Sequence, residues 1–433
     1  MARVRPFTGV YYHSRAGAIQ DLIAPPYDVL EPAQAKKLAE KSPYNVIHIT
    51  YALNKGSDFY RRAGECFHRW LEEGALKKTS FPAVYFYQVD FNYLFAGKER
   101  RVSRRGFFAL LGLSEYQTGE VLPHERTMPE PKKDRLELLR SVGANLSPIF
   151  CLYSDPGLEL ISQLQTISPE EPAFEFNFEF NDEFGFRHKF FAIRDKEVVD
   201  KVSGQLGSEP VYIADGHHRY ETALAFYQEL VAQNDSRAES AGWIMSYFCP
   251  VQEPGLVIFP YHRLLRGLDS SQLEGLLERI SEYFTPHLIS PQLSPEQFSE
   301  VLAHLEKLNE KEFLMIDSEP RVWLLSFKSG LFPEYNSRLE VEILEELILK
   351  RILMLSQEEL LKEARVHYET NEQKIMQEIF SGEYQLAFLL KPISVEKIVE
   401  RAKKGETMPE KSTYFYPKLP SGLIFRIIEP EKS

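Results

Sequence analysis

The sequence predicts an α/β (α+β) fold, a mixed-sheet core with an appended helix-rich region, and three observations predict it. A short apolar stretch, "PVYIA" (210–214), runs straight into a helical pattern. Two long aromatic and β-branched runs, "AVYFYQVDF" and "RVSRRGFFALLGL", flank "NYLFAGKER" as the arms of a hairpin would. From about residue 268 the pattern turns to Glu-rich amphipathic stretches at 269–284, 295–311, 339–354 and 371–380, interrupted by the strand-like "EFLMID" and "VWLLSF". The expected division is therefore a core over 1–265 and a helix-rich α+β region over 266–433 that returns to it.

The elements follow in order. "LIAPPYDVL" carries Pro25 and Pro26, which force extended backbone and forbid a helix there. Residues 57–78 keep apolar and aromatic groups at helical spacing and close near Gly74. The hairpin comes next. "EVLPHERTMPEPKKDRLELLRSV" sets Pro123, Pro129 and Pro131 around a charged run, which predicts an irregular loop leading into a helix capped by Asp134. "SPIFCLYS" reads as a buried strand, and "AFEFNFEFNDEFGFRHKFFAI" alternates as a strand pair does. The helix after Asp215 is expected to line up Tyr220, Ala223, Leu224, Tyr227, Leu230 and Val231 on one face. "GWIMSYFCPV" and "GLVIFPYHRLL" continue as strands, a helix is expected near 395–403, and the chain ends on "STYFYPKLPSGLIFRII".

Composition excludes several classes of function. The 51 Lys and Arg against 63 Asp and Glu leave a net charge of −12, the wrong sign for holding a phosphodiester backbone, so no nucleic-acid partner is expected. Cys66, Cys151 and Cys249 have neither paired spacing nor metal-ligand spacing, which argues for a reducing compartment and against a disulfide framework. "MARVRPFTGVYYHS" lacks the apolar core of a signal peptide and no run reaches the length of a membrane span, so the expectation is a cytoplasmic protein without a membrane partner. The oligomeric state is left open.

The stretch "YIADGHHRYETALAFY" (212–227) carries the chemistry. Asp215 before Gly216 is what an ordinary helix N-cap looks like. His217, His218 and Arg219 in the first turn are not, because cations oppose the helix dipole at this end. An anion reverses the sign: free N–H groups, a glycine that admits close approach, a guanidinium and imidazole donors then converge on a phosphate. Zinc at His217 and His218 is disfavoured, since neighbouring helix positions diverge by about 100°. Tyr220 heads the apolar stripe and reads as core.

Other groups are candidates for the same site. His124 and Glu125 in "PHERT" offer a general base beside a donor, followed by Asp134 and Arg135. Tyr27 and Asp28 sit in "APPYDVL". Lys411, Ser412 and Thr413 resemble an anion-contacting cluster, although they lack the glycines of a P-loop. His262 and Arg263 follow Pro260 and read equally well as core.

The Asp-Gly-His-His-Arg box is similar to that of the ParB and sulfiredoxin superfamily, which includes ParB-type CTPases, sulfiredoxin and free-serine kinases. Over nearly the whole chain, "RPFTGV", "APPYDVL", "SPYNVIHI", "LPHERTMPEPKKDRLELL", "ANLSPIFCLYS", "YIADGHHRYETAL", "FPYHRLL" and "MPEKSTYFYPKLPSGL" resemble the successive blocks of domain-of-unknown-function family 1015. The resemblance implies a nucleotide, ATP or ADP, bound with Mg²⁺, and a small-molecule acceptor such as free L-serine. For such a phosphotransfer the expected roles are these: Gly216, His217, Arg219, Lys411, Ser412 and Thr413 on phosphate; Asp215 or Asp28 on Mg²⁺; Glu125, His124, Asp215 and His218 in catalysis; Tyr27, Asp28, Asp134 and Arg135 on substrate. Two alternatives stand beside it, a ParB-like nucleotide switch and a metal-dependent hydrolase built on His124, Glu125 and the histidine pair.

Overall fold

The structure, a computed structural model, describes residues 1–53, 58–127, 129–167, 177–361 and 364–430, with the backbone alone at 129–131. Its core is a nine-stranded mixed sheet. The strands run in the order Val121–Leu122, Val211–Asp215, Ile149–Tyr153, Trp243–Pro250, Lys98–Gly112, Val84–Phe95, Arg187–Ile193 and Phe178–Asn181, and Val4–Arg5 pairs beside Lys98–Gly112. The two long arms pair antiparallel from Tyr85 opposite Phe108 to Phe95 opposite Lys98, so the hairpin extends through most of "NYLFAGKER" and turns only at Ala96 and Gly97. Both are in the left-handed region, at φ 54° and 71°. The predicted pair around 173–193 is present as Phe178–Asn181 against Arg187–Ile193, while its first residues, 173–176, lie outside the described residues.

Pro260 ends the core run. The strand Val257–Phe259 stops there, because proline has no N–H to continue the ladder. The next strand, His262–Leu265, already belongs to an antiparallel six-stranded sheet, ordered Phe284–Ser290, Val322–Phe327, Glu312–Ile316, Leu386–Leu389, His262–Leu265 and Val366–Glu369. "EFLMID" and "VWLLSF" pair within it as expected. One contiguous set of buried side chains, from Tyr85, Phe150 and Tyr247 to Phe313, Leu347 and Phe388, joins the two sheets.

Several helical boundaries differ from expectation. Helix Pro129–Val142 starts before Asp134, so Asp134 is interior and its carboxylate accepts from Tyr60 Oη at 2.7 Å instead of capping. Pro129 suits a first-turn position because the N–H it lacks has no helical partner there. Gly275, at φ 63°, splits 269–284 into Ser270–Leu273 and Leu276–Tyr283. The 295–311 stretch forms a short α-helix, Phe298–Leu302, between the 3-10 turns Pro295–Gln297 and Leu305–Lys307, and 339–354 becomes Glu340–Ile343 followed by a π-helix over Leu344–Ile352. Helices Glu372–Phe380 and Val395–Lys403 lie where the periodicity puts them.

The last segment returns to the core. Tyr414–Tyr416 pairs antiparallel with Val257–Phe259, and Arg426–Ile427 with Ala144–Asn145. Backbone bonds tie Met408 to His124, Ser421 to Ala24 and Phe425 to Val10, each at 2.8 Å. Among the described residues no helix is long and apolar enough to cross a membrane.

Candidate functional site

Strand Val211–Asp215 delivers Asp215 to the site. Its register with Ile149–Tyr153 slips between Ile213 and Asp215, a bulge that redirects the strand end. Gly216 follows at φ 89° and ψ 28° and is itself the N-cap of helix His217–Ala232, with no side-chain cap among the described residues. The expected Asp215 cap is therefore absent: the N-cap position is Gly216, and the Asp215 carboxylate is bonded to Arg219 and Lys418. Glycine is favoured at 216, since an added Cβ would press at 3.0 Å on the Arg219 guanidinium and on Ile149 as well as straining the left-handed backbone. Tyr220, Ala223 and Leu230 are buried with Phe226, whereas Val231 is exposed because the helix turns that edge to solvent.

Asp215 is shared by two cations. One carboxylate oxygen accepts from Arg219 Nη2 at 2.7 Å and the other contacts Lys418 Nζ, 203 residues further along the chain. Less than a fifth of each of these three side chains is exposed. Burial alone would raise the Asp215 carboxyl, but Lys418 and Arg219 outweigh it and hold it at about 2. Burial alone would lower Lys418, but Asp215 and Asp28 outweigh it and keep the ammonium charged. The trio thus carries two positive charges against one negative at the positive end of a sixteen-residue helix.

The histidines are arranged otherwise than expected. His124 Nδ1 lies 2.7 Å from the Ile213 carbonyl, so it carries the proton and donates, and Nε2 then accepts from Thr413 Oγ1 at 3.0 Å. His217 Nε2 accepts the backbone N–H of His124 at 3.4 Å, with the two rings 4.7 Å apart. Burial lowers His124 to about 4 and holds His217 well below its ordinary value, so both are neutral. In this arrangement the lone pair of each neutral ring faces a protein donor, Thr413 Oγ1 for His124 and the His124 N–H for His217. His218 is half-buried, with burial lowering its pKa and Glu221 opposing.

Glu125 is placed differently. Its backbone bridges to Met408 and its carboxylate accepts the Lys411 N–H at 3.4 Å. Burial lifts it to about 7 against the pull of Lys418. Ser412 donates to the Pro409 carbonyl at 2.6 Å and Thr413 to His124, so both hydroxyl protons are spent inside the protein. Lys411 lies over the Tyr261 ring at 5.3 Å with its backbone at φ 58°. His262 accepts from the Leu390 N–H and is core.

Asp28 is exposed and within Coulombic reach of Lys418 and His218. Tyr27 lies under the Arg135 guanidinium, 3.9 Å from ring centroid to Cζ, and Arg135 pairs with Asp134. Tyr27, Arg135, Asn145, Ser147 and Arg219 line a small cavity of about 70 Å³. Lys418 opens onto a larger one of about 230 Å³, walled by Tyr87, Phe184, Phe186, Tyr414 and Tyr416. Lys418 is the residue that sequence reasoning missed. Its signal was a lone lysine between prolines in "YPKLP", inside a block already singled out for Lys411.

Fold and site together define a mixed α/β protein in which a strand-turn-helix and the returning segment join Asp215, Arg219 and Lys418. The chain belongs to the family described as "Protein of unknown function (DUF1015)", whose model matches residues 4–382, a span that ends before the block containing Lys418. No curated protein matches it. Among solved structures it is similar to a mutant free serine kinase in complex with AMP, at 15% identity over 68% of this chain and 83% of that one, with TM-score 0.35. It is also similar to SbnI with C-terminal truncation from Staphylococcus aureus, at 12% identity over 75% and 90% with TM-score 0.37. A conserved hypothetical protein from Pyrococcus furiosus matches at 16% over 70% and 90% with TM-score 0.35.

Proposed function

We propose that this chain is a nucleotide-dependent phosphotransferase acting on a small hydroxylated metabolite, with free L-serine the acceptor its family resemblance implies. One observation carries the proposal: Arg219 and Lys418 share the single carboxylate of Asp215 at a helix N-terminus that no side chain caps among the described residues, so that trio holds one positive charge in excess, which a phosphate would offset. Phosphoryl transfer asks chiefly for positioning and charge neutralisation, which these groups supply.

Both oxygens of Asp215 are held by cations, so it fits a positioning role rather than Mg²⁺ binding. The exposed Asp28 carboxylate fits the metal better; Mg²⁺ carried by the nucleotide would offset charge on the phosphate oxygens. Glu125, with its pKa near neutrality, takes the acceptor hydroxyl proton as the acceptor oxygen bonds to phosphorus and the bond to the departing nucleotide breaks. The aromatic cavity beside Lys418 suits a base or sugar face.

The test is a thermal-shift panel of ATP, ADP, CTP, GTP and pyrophosphate with Mg²⁺, followed by product analysis with L-serine. If none of them shifts the wild type, or if Arg219→Ala responds as the wild type does, the proposal fails. Binding without turnover would leave a nucleotide switch, a second role supported by Lys418 and Thr413 lying on the segment that returns from the six-stranded region.

A further inference from the structure

We propose that His367, Glu369 and Glu378 form a binding site for one divalent ion of the zinc class, separate from the phosphate site. Strand Val366–Glu369 is the edge of the six-stranded sheet, and His367 and Glu369, two residues apart, point to the same face. Helix Glu372–Phe380 packs there and brings Glu378 to them. His367 Nε2 lies 3.8 Å from Glu369 Oε2 and 3.7 Å from Glu378 Oε1, and the three donor atoms fall within 4.8 Å of one another. The two spacings from His367 Nε2 suit bonds of about 2.1 Å to one central ion at an angle of about 120°, with the two carboxylates drawing together around it.

Two independent features point to a ligand. Among the described residues, the buried atoms His367 Nε2 and Glu378 Oε2 have no partner within hydrogen-bond distance, Nε2 meeting the two carboxylates only at 3.7 and 3.8 Å, an arrangement that buried polar atoms rarely keep. Glu369 is oriented from behind: its other oxygen accepts the backbone N–H groups of Thr370 and Asn371 at 2.7 and 2.9 Å, the support that metal-binding carboxylates ordinarily have. One imidazole and two carboxylates match zinc chemistry and leave further positions open.

Lys374 occupies the gap between the carboxylates, 2.8 Å from Glu369 and 3.9 Å from Glu378. Nearly half of its side chain is exposed, so it can swing into solvent, and it is the ammonium that an ion would displace. Glu31, just past the segment holding Tyr27 and Asp28, lies within Coulombic reach of Lys374. The ion would thus sit where the six-stranded region meets that segment.

The experiment is equilibrium dialysis of the chelator-treated full chain against zinc chloride with metal analysis, paralleled by cobalt titration read by visible absorption. One zinc per chain is expected, with at least tenfold weaker binding in Glu378→Gln and His367→Ala and tighter binding in Lys374→Met, which removes the competing ammonium while keeping the stem. The proposal is overturned if the wild type retains no zinc, if Glu378→Gln binds as tightly as wild type, or if Lys374→Met leaves the affinity unchanged. Glu378→Gln and Lys374→Met keep side-chain volume, so the result stands even if His367→Ala does not fold.

Discussion

Asp215→Asn tests the charge arrangement directly. The amide keeps the size of the carboxylate but leaves Arg219 and Lys418 buried without their shared counter-charge. Removing one partner of a buried ion pair costs roughly 3–5 kcal/mol. Arg219 keeps its contact with the Pro148 carbonyl and Lys418 lies 5.0 Å from the Tyr414 ring centroid, so the lower end, about 3 kcal/mol, is expected. That is a large share of a total of about 5–15 kcal/mol. Urea unfolding followed by the fluorescence of Trp70, Trp243 and Trp323 measures it. Adding Lys418→Met to Asp215→Asn removes one orphaned cation and should restore at least half of the loss. Pyrophosphate should stabilise Asp215→Asn more than the wild type, because it supplies the missing negative charge. If Asp215→Asn unfolds within about 0.5 kcal/mol of wild type, the scale of an ordinary surface substitution, or if the second substitution restores nothing, the two cations do not depend on Asp215 and the anion-site argument falls.

Lys418→Met alone should weaken nucleotide binding by about 10- to 100-fold, the size of one lost charge-assisted contact, as read by calorimetric titration. Glu125→Gln should lower turnover by about 10²- to 10⁴-fold with KM little changed, and the wild-type rate should rise with pH through about 7, because only the ionised carboxyl accepts a proton. His124 is depressed when folded, so its contribution to stability is complete above about 6.5 and is lost as pH falls through about 4, about 3 kcal/mol in all. Because Glu125, raised to about 7, gains stability as pH falls over the same range, the loss is read as a difference: the stability gap between wild type and His124→Gln should shrink in denaturation series taken from pH 7 to 4. Gly216→Ala should destabilise by about 1–3 kcal/mol through its left-handed backbone and should disturb Arg219, measurable as a reduced midpoint and a smaller pyrophosphate shift.

Much of the fold was legible because local pattern and tertiary context agree. The hairpin, the "SPIFCLYS" and "PVYIA" strands and helices 372–380 and 395–403 each carry a clear period that packing then uses. Legibility failed where one residue overrode the period. Gly275 broke one helix, and the helix start at Pro129 placed Asp134 inside. In the site, the Asp-Gly-His-His-Arg box was visible as unusual, yet the roles within it were not. Whether a histidine binds a ligand depends on where its two nitrogens find partners, and Ile213 and Thr413, 200 residues apart, answer that for His124. Lys411 drew attention by its neighbours Ser412 and Thr413, whereas Lys418 matters by a contact across 203 residues that no local pattern encodes.

That separation shapes how the site comes into being. Asp215, Gly216 and Arg219 are positioned by one strand-turn-helix and can form with the core sheet. Lys418 and Thr413 arrive only when Tyr414–Tyr416 pairs with Val257–Phe259 and Met408 bonds to His124. Contacts of such long sequence separation carry the largest loop-closure entropy and reward the chain only once the intervening region is built. The six-stranded region occupies that interval, so the seating of the returning segment, and with it the second cation on Asp215, depends on how that region packs. Because linkage is reciprocal, an anion that gains from Lys418 must in turn favour the seated state of the segment. A phosphate at Arg219 and Lys418 would therefore strengthen protection of the Tyr414–Tyr416 amides against hydrogen exchange, whereas an anion held by the helix terminus alone would leave them unchanged.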